Sequence, residues 1–89
     1  MHVMEDCKTI FDPRYSRLIA DLVKIRNSRG LTQRAFAKKS GYNLSFIAKT
    51  ELRERRLDFI ETINYMRHLG LTQDEVKAKL AEWADAFVR

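Results

Sequence analysis

An all-α fold is expected for this chain from three features of its sequence. Apolar residues recur at spacings of three and four, residues that cap helices stand at the head of each such run, and alternating β-branched stretches are missing. Five helices follow from placing the caps in order. Asp12-Pro13 is a helix start, with Asp as N-cap and Pro at the first helical position. Tyr15, Leu18, Ile19, Leu22, Val23 and Arg26 then form one face of a first helix over about residues 13–29, and Gly30 supplies its C-terminal cap. Thr32 caps a second helix that runs to about Lys39 with Phe36 and Ala37 inward, and Gly41 breaks it. Asn43 caps a third, from Leu44 to about Leu52. Asp58 and Glu61 make a capping-box start for a fourth helix with apolar Phe59, Ile60, Ile63, Met66 and Leu69, ended by Gly70. Thr72 and Glu75 repeat that start for a fifth helix running to about Phe87.

The tetrapeptide GLTQ occurs at 30–33 and again at 70–73, but it marks a helix-to-helix corner and not a tandem repeat. Glycine ends one helix and threonine caps the next. Only the first copy opens a pair of short helices. The expected organisation is an N-terminal tail or arm at 1–11 and one domain at 12–89, with residues 72–88 as its C-terminal helix.

The chain has 89 residues, 45% hydrophobic and 33% charged, which suits one globular domain with a modest core. Its net charge of +5 is unevenly spread. Residues 1–13 carry one basic and three acidic side chains, net −2; residues 14–56 carry twelve and three, net +9; residues 57–89 carry four and six, net −2. A concentrated basic segment is either a polyanion-binding face or a solvated surface that happens to be basic. No apolar run approaches the roughly 18 residues of a membrane span, and MHVMEDCKTIF lacks the basic start and apolar block of an export signal. A single cysteine, Cys7, and isolated His2 and His68 offer neither an internal disulfide nor a metal cluster. A cytoplasmic protein without cofactor or metal is expected. With no carboxylate pair and no glycine-rich phosphate loop, an enzyme is not expected.

The third helix is short and polar for a core element. Phe36, Ala37, Tyr42 and Ile47 can anchor the second and third helices to helices 1 and 4, and Gly41 supplies the turn between them. In that helix-turn-helix arrangement the second helix enters the DNA major groove with one side anchored and the other facing base edges. From about Tyr15 to Leu71 the sequence resembles the lambda-repressor-like, XRE-type helix-turn-helix family, through RNSRGLTQRAFAKKSGYNLSFIAKTE and then RERRLDFIE.

The resemblance implies a sequence-specific transcriptional regulator, a small prokaryotic or phage repressor or controller, bound to a double-stranded operator. It assigns base contacts to Asn43, Leu44, Ser45 and Lys49. Lys49 suits guanine O6 and N7; Leu44, where relatives commonly carry Gln, either touches a thymine methyl or packs in the core. Thr32 and Gln33 match the start of helix 2 that grips a phosphate, with Arg34, Lys38, Arg53, Arg55 and Arg56 as further phosphate contacts. Arg26 and Glu51 match a structural ion pair that ties helix 1 to the recognition helix. Three positions depart from the family pattern. Ser40 and Thr50 replace apolar residues, and Arg53 replaces a glycine, requiring either a positive φ or a different exit from helix 3.

Val76, Leu80, Trp83 and Phe87 form a heptad-like seam on helix 5. It either closes the domain's own core or forms a homodimer interface; the dimer is the expected use, reading a palindromic operator with recognition helices about 34 Å apart. The alternative function is an antitoxin that neutralises a partner toxin and autoregulates its operon, which the neighbouring gene would distinguish.

Overall fold

The first helix starts where its cap predicts. In the computed structural model, which describes residues 12–87, α1 spans Pro13–Ser28 and Asp12 is its N-cap. The Asp12 carboxylate accepts from the Arg14 backbone N–H at 2.8 Å and from the Arg14 guanidinium at 2.7 and 3.0 Å. Those side-chain and backbone bonds from Arg14 lower the Asp12 pKa from 3.8 to about 2. Tyr15, Ile19, Leu22 and Arg26 are the buried residues of α1, at helical spacings of four, three and four. The expected tail at 1–11, with His2 and Cys7, lies outside the described residues.

At the α1 exit the Leu31 N–H reaches the Arg26 carbonyl at 3.2 Å and the Gly30 N–H reaches that of Asn27 at 2.9 Å. This double closure requires a left-handed residue at position 30, where Gly30 has φ 70°. Helix α2, Gln33–Ser40, follows at once, and the Thr32 hydroxyl oxygen accepts from the Ala35 N–H at 3.0 Å. Helix α3, Leu44–Glu51, is capped by Asn43, whose side-chain oxygen accepts from Ser45 N–H at 2.8 Å. Between them Gly41 takes φ 84°. Ser40 has a role in that turn: its hydroxyl oxygen accepts from the Tyr42 N–H at 3.0 Å, a bond no apolar residue could make.

Helix α3 leaves by the same double closure as α1, with Glu54 N–H on the Lys49 carbonyl at 2.8 Å and Arg53 N–H on that of Thr50 at 3.0 Å. Here the left-handed residue is Arg53, at φ 61°. The positive-φ alternative is therefore the one adopted, at a steric cost of about 1–2 kcal/mol.

The chain divides into two compact units, Met1–Arg56 and Leu57–Arg89. In the first, α3 packs against both α1 and α2, and Phe36 and Ile47 have no exposed surface. Burying each is worth roughly 1.5–3 kcal/mol. In the second, α4, Phe59–His68, packs against α5, Gln73–Phe87. Both starts are reciprocal capping boxes: Glu61 N–H on Asp58 at 2.7 Å with Asp58 N–H on Glu61 at 3.0 Å, and Thr72 N–H on Glu75 at 2.8 Å with Glu75 N–H on Thr72 at 3.2 Å.

The apolar residues of α4 are divided between its inner and outer faces. Met66 and Leu69 are buried, but Phe59 and Ile60 are 65% and 64% exposed; Thr62 and Tyr65 take the inward positions of the first turns. The helix face is set by which residues its partner covers, and Thr62 is small enough to sit inside because its hydroxyl donates to the Asp58 carbonyl at 2.7 Å. Among the described residues the architecture is five α-helices without a strand.

Candidate nucleic-acid interface

Helix α3 is held from one side. Ile47 has no exposed surface and Thr50 only 1%, while Asn43, Ser45 and Lys49 are exposed and Leu44 is half-exposed. Its C-terminal end is clamped by a polar cluster. Arg26 Nε donates to Glu51 Oε2 at 2.6 Å, Arg26 Nη2 to Glu51 Oε1 at 3.0 Å, and Arg26 Nη1 to the Leu31 carbonyl at 2.6 Å. The side chains of Arg26 and Glu51 are 10% and 9% exposed. Glu51 Oε1 also accepts from Gln33 Nε2 at 2.9 Å. Four chain segments therefore meet at one guanidinium and one carboxylate: α1, the corner at Leu31, the start of α2 and the end of α3. A bidentate arginine–carboxylate pair fixes orientation as well as distance, so α3 cannot roll about its axis without breaking it.

The Gln33 side chain joins the clamp. One Nε2 proton is donated to Glu51, and the second Nε2 proton and the backbone N–H remain at the α2 start. The first-turn N–H groups of Gln33 and Arg34 have no acceptor within the helix by construction, and the helix dipole adds to their pull on an anion. Thr32 spends only its oxygen as an acceptor in capping, and its hydroxyl proton is left to donate. An open depression lies here, lined by Arg26, Leu31, Thr32, Gln33, Arg34 and Leu44.

The other basic residues divide into two kinds. Arg34, Lys38, Arg53 and Arg56 are exposed. Arg55 is half-buried, with its guanidinium 4.7 Å from the Phe46 ring centroid and Nη1 donating to the Arg56 carbonyl at 3.1 Å. The Phe46 ring is 4.9 Å from Tyr42, which meets buried Phe36 edge-on at 5.9 Å. This aromatic chain braces the turn and the exposed exit of α3 against the core of the first unit. Spacing alone would have suggested only its Tyr42–Phe46 link, an i,i+4 pair.

Two residues of the outward face were not anticipated. Ala48 is half-exposed one turn after Leu44, and Leu52, one turn further, is 65% exposed. Counting by four from Leu44 would have found both.

The helix α5 seam needs correction. Val76 and Trp83 are 5% and 4% exposed in the single chain, so they present no surface to a second copy. Leu80 and Phe87 are half-exposed, and the Phe87 ring stacks on Trp83 at 6.4 Å. Among the described residues no helix is long and apolar enough to cross a membrane, and no group of three His, Cys, Asp or Glu side chains could hold a metal ion.

No family profile and no curated protein matches the sequence. Among solved structures, the chain is similar to an XRE-family like protein from Pseudomonas syringae pv. tomato str. DC3000. The two share 35% identity and superpose with a TM-score of 0.76, over 92% of this chain and 96% of the other. That identity, sustained across both chains and joined to the helix-turn-helix at α2 and α3, shows that this protein belongs to the XRE family of helix-turn-helix proteins.

Proposed function

We propose that this chain is a sequence-specific DNA-binding transcriptional regulator that inserts α3 into the major groove of an operator. The observation that carries the reading is the two-sidedness of α3. Ile47, Thr50 and the clamped Glu51 hold one side, and Asn43, Ser45 and Lys49 lie open on the other, beside a cationic helix start. Lys49 donates to guanine O6 and N7, and Ser45 serves either base type. The Thr32 hydroxyl, the α2 backbone N–H groups, Arg34, Lys38, Arg53 and Arg56 hold phosphates and set register. Arg55 contributes charge from its place over Phe46.

A second copy of the chain is the protein partner in this reading, because a two-fold pair presents two recognition helices to a palindromic site. Leu80 and Phe87, together with exposed Phe59 and Ile60, are the apolar surface the second unit offers for that contact. A role for the protein in a cell's DNA-containing compartment follows from the same reading.

Selection of bound sequences from a random duplex pool tests it. The expected result is one enriched palindrome with half-sites about one helical turn apart and affinity that falls steeply with salt. Recovery of the pool unchanged would refute the proposal.

A further inference from the structure

We propose that Leu44 reads the C5-methyl group of a pyrimidine, so that each half-site carries a thymine at the position facing the start of α3. The inference rests on the DNA-binding reading above and names what that site prefers.

Leu44 is the first residue of α3, half-exposed, and it forms the apolar side of the depression whose other walls include Thr32, Gln33 and Arg34. A phosphate held at the α2 start would bring a base edge against this leucine. The polar side chains around it are already partly committed. Asn43 Oδ1 accepts the Ser45 N–H at 2.8 Å, which fixes the direction of the amide and leaves its NH2 donors free to reach a base edge. Gln33 donates one Nε2 proton to Glu51 at 2.9 Å, which ties its amide to the clamp at the end of α3. The position therefore offers an apolar surface next to a donor. Among the four base pairs, thymine alone presents a methyl group next to an acceptor, its O4, in the major groove. Adenine carries no methyl group on its major-groove edge, so it leaves the leucine surface without an apolar partner. Cytosine would set its own N4 amino donor against that of Asn43, but a 5-methylcytosine still restores the apolar half of the contact.

The test uses the full chain and the operator enriched from the random pool. Each thymine is replaced singly by deoxyuridine, which differs only in lacking the methyl group. At the Leu44 position the loss should be about fourfold per half-site, the worth of one buried methyl, and roughly 15-fold when both half-sites are changed. Cytosine at that position should bind more weakly still, and methylating it at C5 should regain about the same fourfold. In Leu44→Ala and in Leu44→Gln, with helix content checked by circular dichroism, both methyl increments should vanish. Deoxyuridine binding as well as thymine at every position would overturn this proposal and leave the regulator reading intact. A methyl increment that survives in both variants would overturn the assignment to Leu44. A pool yielding no preferred sequence would overturn the regulator reading, and this one with it.

Discussion

Removing the carboxylate of Glu51 should be among the most damaging single changes in the first unit. Glu51→Ala deletes three accepted bonds, two from Arg26 at 2.6 and 3.0 Å and one from Gln33 at 2.9 Å. Arg26 keeps only its bond to the Leu31 carbonyl, and its side chain is 10% exposed, so water cannot replace what is lost without opening the cluster. Leaving one partner of a buried pair uncompensated costs about 3–5 kcal/mol. In a domain of this size each kcal/mol shifts Tm by about 4–8 °C, so the midpoint should drop by at least about 12 °C. Urea titration followed by circular dichroism at 222 nm measures the loss directly, with an unchanged m-value showing that the same cooperative unit is being unfolded. The double variant Arg26→Met with Glu51→Met should recover most of the stability, since apolar replacements of similar volume remove the unpaired charge. A loss below about 1 kcal/mol in Glu51→Ala would refute the reasoning, because that is how a solvated surface pair behaves.

Other outcomes follow from single residues. Arg53→Gly should stabilise the fold by about 1 kcal/mol in the same titration, because glycine relieves the left-handed strain at φ 61°; an unchanged midpoint would mean the strain is already relaxed. Thr50→Val should stabilise by about 1 kcal/mol, since the Thr50 hydroxyl is buried without a hydrogen-bond partner, and destabilisation would show that the hydroxyl is in use. Lys49→Ala should weaken binding to the selected operator far more than to random duplex, measured by fluorescence anisotropy; equal losses would remove Lys49 from the base-reading set. Asp12 has a pKa of about 2 in the folded chain against an ordinary 3.8, so its cap contribution is present above about pH 4 and lost as the pH falls toward 2. Carboxyl NMR should place its midpoint near 2, and Asp12→Asn should abolish any fraying of the first turn of α1 over that acid range.

The helices were legible in the sequence because their limits are local matters. A cap needs a side chain within two or three residues of an N–H group, as Thr32 has at Ala35 and Asp58 at Glu61. A left-handed exit is foreshadowed by glycine at position 30 or 70, and at Arg53 by the glycine that relatives commonly carry there. The turn, the basic segment and the outward placement of Ser45 and Lys49 were readable for the same reason: they depend on order along the chain.

Long-range choices were not. Phe59 and Val76 are equally apolar on paper, yet one is 65% exposed and the other 5%, because helical spacing defines a stripe without saying which neighbour will cover it. The seam on α5 lost Val76 and Trp83 to the chain's own interior on that account. Gln33 likewise has a partner that its sequence neighbours do not announce, since folding brings Glu51, 18 residues away, within 2.9 Å of its amide. Local order along the backbone therefore set where each helix begins and ends, whereas the meeting of distant side chains set which surface remained for DNA. A hydrogen bond between residues 33 and 51 has no trace in either residue's sequence neighbours, since it exists only once α2 and α3 have packed.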